Sequence, residues 1–364
     1  MIIRPKNRIT MQEAAIVTSS IMLGSGVLTL PRTVTEKTGT PDGWISVILS
    51  GMIAVLAGIM MAKLSQRFPG QTYFEFSQHL VGKWVGRLLN FPLVVYFIVL
   101  GGYEIRSMAE VNSLYLLPRT PTAITMVLFI WVGVYLVTGG LTPIARLSSL
   151  LLPITVLIFL MTLGLSLKVV DFNNLRPVMG FGVMPVIKGI TQTVLSFSGF
   201  EVILFLTAFM EDHRQAVKSV IIGISVPTFF YIIIVAFAVA TLGLEETARI
   251  TRPTVTMIRS FEVTGVIFER FESFLLAVWM LQIFTTYVCY HYLASIGLSS
   301  IFGKEFKTWT YWISPLIYLF AALPSDINER YLIGYIMGYV LLAFIGIIIP
   351  VLWGITWPKG KKHG

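Results

Sequence analysis

The sequence predicts an all-α integral membrane protein with ten transmembrane helices, and three observations support this prediction. Of the 364 residues, 55% are hydrophobic and only 12% are charged, which is about half the charged share of a typical soluble domain. Apolar runs of about 20 residues, the length that an α-helix needs to cross a bilayer, recur along the chain. Two of these runs, one in each half, are interrupted by small residues at corresponding places. We therefore expect a single polytopic membrane domain over residues 1–364.

Short loops containing proline, glycine or basic residues separate the apolar runs. The ten predicted spans are residues 11–31, 44–62, 84–117, 122–138, 147–167, 186–210, 217–242, 268–300, 309–324 and 331–356. The third and eighth exceed the length of a span, so we expect them to tilt or to contain interfacial turns. The segment 243–267 mixes charged and apolar residues, which indicates a short amphipathic helix lying on the membrane surface.

The distribution of lysine and arginine predicts that both termini are cytoplasmic. With an internal N-terminus, 15 basic residues fall on the inside and 11 on the outside, while Arg106 lies within a span. Cytoplasmic loops carry such an excess of basic residues. An even number of spans also requires both termini on the same side.

The connection at residues 168–185 divides the spans into two groups of five. The first repeat would cover about 9–168 and the second about 185–358. Because each half has an odd number of spans, the two repeats would be inverted in the membrane. This expectation rests on the span count and on the matching breaks, since the halves share no visible residue-level similarity.

The first break is Gly24-Ser25-Gly26, within the first span. Glycine disfavours helix, and serine offers the backbone competing hydrogen bonds. Free N–H groups at the start of the second half-helix, at the positive end of its dipole, would suit a carboxylate or another anion. The alternative is that these small residues only let neighbouring helices pack closely.

The second break is Ser196-Phe197-Ser198-Gly199, within the sixth span, and Glu201 follows it. Free carbonyl groups at Phe197, Ser198 and Gly199 would suit an ammonium group or a cation. A carboxylate inside the membrane normally faces a cavity or a partner. Glu201 therefore either supports the broken helix through hydrogen bonds or contacts a ligand. Broken helices at corresponding positions of two halves predict a solute site near the bilayer midplane.

Two other spans carry polar residues within the membrane. A helical stripe on the eighth span joins Gln282, Thr286, Cys289, Tyr290 and Leu293. It should face the bundle interior, where either interhelical hydrogen bonds or ligand contacts would explain it. On the third span, Glu104 and Arg106 point to different faces, in the outer half of the helix. Snorkelling, pairing between helices and an outer gate are the alternatives.

No feature of the sequence predicts an enzyme, a cofactor or a metal site. The single cysteine excludes a disulfide framework, and the four histidines have no metal-ligand spacing. We find no phosphate-binding loop, dinucleotide fingerprint or nucleophile elbow. The net charge of +9 comes from basic residues in short loops, which favours a lipid bilayer over nucleic acid as the partner.

The two breaks resemble those of a known superfamily. Gly24-Ser25-Gly26-Val27-Leu28-Thr29-Leu30-Pro31 resembles the first-helix break of amino acid–polyamine–organocation permeases, and Phe197-Ser198-Gly199-Phe200-Glu201 resembles their sixth-helix break. The length, the layout and the basic start at Arg8-Ile9-Thr10-Met11-Gln12-Glu13 are closer to one branch, the spore germination permease-like B subunits of bacterial germinant receptors. This resemblance covers essentially the whole chain.

The resemblance implies a small-molecule site between the first, third, sixth and eighth helices, with an amino acid or a similar solute as ligand. The backbone from Gly24 through Ser25 and Gly26 to Val27 would take the ligand carboxylate, and carbonyls near Phe197 and Ser198 its amino group. The residues that would shape the side-chain pocket are Leu100, Gly101, Thr286 and Tyr290. The implied partners are a larger membrane-anchored A subunit and a lipoprotein C subunit, in the inner membrane of the dormant spore.

The sequence departs from some members of the superfamily at the fifth helix. Those permeases carry a mid-span lysine that replaces a sodium ion, whereas the fifth span here has none and Lys168 lies at its end. Thr285 and Thr286 could offer sodium ligands together with first-helix carbonyls. Our leading hypothesis is a nutrient-sensing receptor subunit that signals to its partners. A stand-alone amino-acid transporter and a ligand-gated ion-conducting channel subunit are the alternatives.

Overall fold

The computed structural model describes residues 8–167, 169–260 and 271–356. Within these ranges the chain is helical, and the only extended pairing is a parallel bridge between Ile9 and Met210. Some predicted features lie outside the described residues: positions 261–267 of the surface segment, 268–270 of the eighth span, 357–358 of the second repeat, and the basic residues Arg4, Lys6, Lys168, Arg270, Lys359, Lys361 and Lys362.

The described residues form sixteen α-helices with short 3-10 or π segments between some of them. In chain order they are α1 (Met11–Met22), α2 (Gly26–Thr38), α3 (Gly43–Gln66), α4 (Tyr73–Val81), α5 (Lys83–Val111), α6 (Thr122–Thr138), α7 (Leu141–Ser166), α8 (Met184–Phe197), α9 (Ile203–Leu206), α10 (Ala216–Leu242), α11 (Leu244–Arg249), α12 (Pro253–Arg259), α13 (Phe271–Phe302), α14 (Phe306–Ala322), α15 (Ile327–Ala343) and α16 (Ile349–Thr356).

Helices long and apolar enough to cross a membrane make this a multi-pass membrane protein. Six of those in the described ranges pass that test alone, and two bent pairs raise the number to eight. All ten predicted spans contain helix, but α6 and α14 have only 17 residues each. A helix of that length reaches only the lower limit of what a bilayer requires.

Both predicted breaks are bends between two half-helices. The axis turns by 55° between α1 and α2, and by 52° between α8 and the segment Phe200–Phe209. At the second break Gly199 has φ +118°, a conformation that side chains other than glycine rarely adopt. Its missing side chain also admits the first half-helix, because a Cβ there would lie 2.7 Å from Ile21 Cγ2.

The first span extends beyond the predicted end at Pro31, since α2 continues to Thr38. Proline has no N–H to donate to the carbonyl four residues before it, here that of Val27. The Thr254 hydroxyl donates to this carbonyl instead, at 2.9 Å. A residue more than 200 positions away in the sequence thus satisfies the carbonyl that Pro31 leaves free, and α2 continues beyond the proline.

In its described part, residues 243–260, the predicted surface segment is two short helices, α11 and α12, rather than one. Most of α12 is buried, including Pro253, Val255 and Met257, and Thr254 bonds to α2. The apolar residues of α12 thus face other helices of the bundle.

Backbone hydrogen bonds join the start of the first broken helix to the end of the second. The Ile9 N–H donates to the Phe209 carbonyl, and the Glu211 N–H donates to the Ile9 carbonyl, both at 3.0 Å. We call this pairing the Ile9 bridge. α1 begins directly after it with a capping box, in which Thr10 and Glu13 each bond the other's backbone N–H. The bridge therefore connects one half of each broken helix.

Candidate functional site

The two breaks face each other around a small cavity in the middle of the bundle. Its walls are formed by Ile21, Met22, Gly24, Ser25, Gly26, Leu100, Tyr103, Glu104, Leu195, Ser196, Ser198 and Tyr290. The space open to the centre of a water molecule is about 10 Å³, which is room for about one water. A Cβ on Gly26 would lie 3.1 Å from Ser196 Oγ, so the breaks themselves are in contact.

A carboxylate of the protein itself binds the free donors of the first break. The Ser25 N–H donates to Glu104 Oε2 at 3.1 Å, and the Ser25 hydroxyl donates to Glu104 Oε1 at 2.9 Å. Glu104 lies on α5 and is only 7% exposed. Glu104 packs closely against Gly24, where a Cβ would lie 3.1 Å from both Glu104 Oε1 and Thr286 Oγ1. The donors that we assigned to a ligand carboxylate are thus occupied by an internal one.

The carbonyl groups at the end of α1 accept hydrogen bonds from other helices. The side chains of Gln282 and Thr286 on α13 donate to the Ser20 carbonyl, at 2.9 and 3.1 Å. The Trp279 indole donates to the Gly24 carbonyl at 3.2 Å. In hydrocarbon, an unwound segment persists only where other parts of the protein satisfy its polar groups in this way.

A buried carboxylate, Glu201, binds an N–H group freed at the second break and is itself bound by Tyr96. Gly199 N–H donates to Glu201 Oε2 at 2.7 Å, and the Tyr96 hydroxyl on α5 donates to Glu201 Oε1 at 3.0 Å. Glu201 is completely buried. The Ser198 hydroxyl donates to the Leu195 carbonyl at 2.6 Å.

One tyrosine joins the two breaks directly. The hydroxyl of Tyr231, on α10, lies between the Met22 carbonyl of the first break and the Ser196 carbonyl of the second, and donates to them. Because a hydroxyl has one proton, it serves one carbonyl at a time. Any movement of one break relative to the other must change this contact.

Six of the predicted ligand residues line the cavity, namely Gly24, Ser25, Gly26, Leu100, Ser198 and Tyr290. The others face elsewhere. The Val27 carbonyl accepts from Thr254, and the nearest atoms to a Cβ on Gly101 belong to Ile317 and Tyr287. The Phe197 ring packs edge-on against Tyr231, with 5.4 Å between ring centroids.

The hydroxyls proposed as sodium ligands take part in helix contacts. Thr285 donates to the Gln282 carbonyl of its own helix at 2.7 Å, and Thr286 donates to the Ser20 carbonyl of α1. That carbonyl also accepts from Gln282, so it already has two donors. Among the described residues, no three His, Cys, Asp or Glu side chains are grouped as ligands of one metal ion.

Three parts of the site were not predicted as such from the sequence: Glu104, Tyr231 and Trp279. Glu104 was expected in the outer half of the third span, with snorkelling, pairing between helices or an outer gate as its role. The available signal was the one used for Glu201, a carboxylate inside an apolar span. Arg106 does point away from Glu104, because it pairs with Glu110 at 3.0 Å.

The last span packs closely against two residues of the cavity wall. A Cβ on Gly334 of α15 would lie 2.5 Å from Leu195 Cδ2 and 3.2 Å from Tyr103 Cε2. Leu195 and Tyr103 both line the cavity. The glycine therefore lets α15 hold these two side chains in place.

The family model and the similar proteins of known sequence point to the same family. Residues 8–330 match a family model described as spore germination protein. The chain is 44% identical to spore germination protein YndE of Bacillus subtilis (strain 168) over 360 residues, which is 99% of each chain. It is 37% identical to spore germination protein A2 of the same organism over 348 residues, covering 94% of this chain and 95% of the relative.

Two solved transporter structures share the fold. One is Mhp1, a nucleobase-cation-symport-1 family transporter in a closed conformation with bromovinylhydantoin bound; the TM-score is 0.74, with 95% of this chain and 78% of that chain covered at 14% identity. The other is MhsT in complex with L-phenylalanine, with a TM-score of 0.70 and coverage of 97% and 91%, also at 14% identity. The helices α1 to α16 thus adopt a transporter fold.

Proposed function

Because this chain belongs to the spore germination protein family, we propose that it is the nutrient-sensing subunit of a germinant receptor in the inner membrane of a bacterial spore. Its relatives are named as spore germination proteins, and its fold is that of small-molecule transporters. The proposal includes ten spans arranged as two inverted five-helix repeats, about 9–168 and 185–358, with both termini in the cytoplasm. It also includes the A and lipoprotein C subunits as partners that read the conformational change.

The ligand in this proposal is a small amino acid bound between the breaks. The observation that carries it is the pair of hydrogen bonds from Ser25 to Glu104. Two donors that hold one carboxylate can hold another, so the ligand carboxylate takes the place of Glu104. The released Glu104 side chain then faces the ligand ammonium, together with the Ser198 region of the second break. The Glu201 carboxylate stays on Gly199 and supports the break.

The size of the cavity makes the described conformation a closed one. A space of about 10 Å³ has no room for an amino acid, so binding requires Glu104 and its neighbours to move. A ligand that binds only the rearranged state shifts the population towards it by the difference in affinity. Signalling to partner subunits needs no chemistry beyond this shift.

Uptake and binding by the purified chain in proteoliposomes test the proposal. A labelled panel of amino acids should give binding without accumulation, and reconstitution with the partner subunits should then couple binding to a response. Concentrative uptake driven by a proton or sodium gradient would instead make the chain a stand-alone transporter, the alternative that its fold favours. Passive ion current opened by the ligand would identify a channel subunit.

Substitutions at the breaks should abolish ligand binding without preventing membrane insertion. Gly24→Leu places a side chain against Glu104 and Thr286, and Ser198→Leu fills the cavity from the other break. We expect no measurable amino-acid binding by either variant in the labelled panel. Gly164→Leu is the matched control, because a Cβ at Gly164 of α7 has no neighbouring atom within 4 Å among the described residues. Normal binding by Gly24→Leu or Ser198→Leu would rule out the break site.

A further inference from the structure

A fully buried side-chain amide connects the end of α1 to two other helices. Gln282 of α13 is 0% exposed, and its Nε2 donates to the Ser20 carbonyl at 2.9 Å. The Thr155 hydroxyl of α7 faces the other end of the amide, 3.4 Å from Gln282 Oε1. One uncharged group thus joins the last turn of the half-helix before the first break to α7 and to α13.

The orientation of this amide follows from its neighbours. The Ser20 carbonyl can only accept, so the nitrogen of Gln282 must face it; in the flipped orientation two oxygens would meet with no proton between them. The Thr155 hydroxyl can face either end of the amide, because its proton has a second acceptor in the Leu151 carbonyl of its own helix, at 2.9 Å. Gln282 therefore holds Ser20 through an N–H group.

The same carbonyl belongs to the cation site that the sequence predicted. That site needs oxygen lone pairs from first-helix carbonyls and from Thr285 and Thr286, since oxygens are the ligands of hard cations. The Thr286 hydroxyl could supply one, because its proton can turn from the Ser20 carbonyl to the Gln282 carbonyl of its own helix, 3.3 Å away. The Gln282 amide nitrogen is a donor only. The residues present therefore do not fit a cation at Ser20 while this amide is in place.

An internal donor differs from a bound ion in its response to the surroundings. A cation at the end of α1 would make the position of this helix depend on the ion concentration, because a ligand shifts a conformational equilibrium by mass action. The Gln282 side chain is part of α13 and is present under all conditions. The contact between α1 and α13 is therefore independent of the ions in solution.

We propose that Gln282 is a positioning residue that takes the place of a coupling cation. Its amide holds the end of α1 against α13, so that ligand binding at the breaks needs neither sodium nor potassium. This inference rests on the proposed function, since it concerns the binding of an amino acid between the breaks. It also narrows that function, because a chain without a cation at this position has no means of using a sodium gradient there.

Thermal unfolding of the full chain in a neutral detergent tests the role of Gln282 without any amino acid. The melting temperature of the parent should be equal in sodium, potassium and N-methyl-D-glucamine chloride at one ionic strength. In Gln282→Glu a charged oxygen faces the Ser20 carbonyl, and a cation between them relieves the repulsion. At alkaline pH, where the new carboxyl group has no proton to donate, sodium should raise the melting temperature of this variant by roughly 2–4 °C over N-methyl-D-glucamine.

Gln66→Glu is the matched control for this substitution. The Gln66 amide, at the end of α3, also donates to two carbonyls, those of His213 at 3.1 Å and Arg214 at 2.8 Å. Its side chain is only half-buried, so water can take its place and sodium should have no effect. If Gln282→Glu does not fold, Gln282→Ser replaces it; its short side chain leaves room for a sodium ion beside the Ser20 carbonyl and should give the same preference for sodium.

Three results of the unfolding measurements would overturn the inference: a saturating rise of the parent's melting temperature with sodium, no difference between the salts for the folded Gln282 variant, or an equal sodium effect in Gln66→Glu. Binding of the labelled amino acids to the parent should also be equal in the three salts, and a sodium requirement there would contradict the inference. A chain that binds no amino acid in any salt would count against the proposed function alone, since unfolding is measured without a ligand.

Discussion

Glu104→Gln should reverse the preference of the site between an amino acid and its deaminated analogue. Glutamine keeps the shape of the side chain and can still bond Ser25, but it has no charge to offer a ligand ammonium. We expect binding of the amino acid to fall roughly 10-fold to 100-fold, the equivalent of about 1.5–3 kcal/mol for a hydrogen bond to a charged group. The analogue, which has only a carboxylate, should bind more tightly because the repulsion from Glu104 is gone.

Equilibrium binding of the amino acid and of its deaminated analogue to the purified chain measures this change of preference. Glu36→Gln is a suitable control, since Glu36 lies on α2 with its side chain 60% exposed and in contact with Arg32. An equal loss for both compounds would mean that Glu104 only holds the break in shape. That result would leave the ammonium without its proposed partner.

Glu201→Leu should destabilise the protein by about 2–6 kcal/mol, because it removes the acceptor of two buried hydrogen bonds. The substitution leaves the Gly199 N–H and the Tyr96 hydroxyl without acceptors in the bundle interior, where each costs about 1–3 kcal/mol. Tyr96→Phe removes only one donor and should cost about 1 kcal/mol. Unfolding of the detergent-solubilised chain by heat measures both effects.

Two further variants serve as controls for the unfolding of Glu201→Leu. Tyr311→Phe changes a tyrosine that is 53% exposed and should leave the melting temperature unchanged. Glu201→Gln can still accept from Gly199, so it should lie between the parent and Glu201→Leu. If Glu201→Leu unfolds at the same temperature as the parent, the carboxylate does not support the break and is available for a ligand.

The breaks could be predicted from the sequence because their cause is local. Gly24, Ser25 and Gly199 disfavour helix by their own chemistry, and an apolar run around them still requires a membrane span. The apolar content likewise predicted the multi-pass architecture, and the stripe through Gln282 and Thr286 predicted which side of α13 faces the bundle.

The partners of the breaks could not be predicted because they are distant in the sequence. Glu104 reaches Ser25 across 79 positions, and Thr254 reaches Val27 across 227. The pairing of polar side chains with free backbone groups depends on the displacement of one helix relative to its neighbour along their axes. Periodicity gives the face of a helix but not this displacement, so the contact of Glu104 with the first break was not predicted, and α2 was expected to stop at Pro31.

The Ile9 bridge has a mechanical consequence. Backbone hydrogen bonds tie the beginning of α1 to the residues at the end of the second broken helix. The half-helix before Gly24 and the half-helix after Gly199 are therefore joined at their ends away from the breaks. Movement of either half-helix at this end must therefore move the other one or break these two hydrogen bonds. A movement that starts at one break can in this way reach the other, so the two breaks are coupled at this distant point as well as through Tyr231.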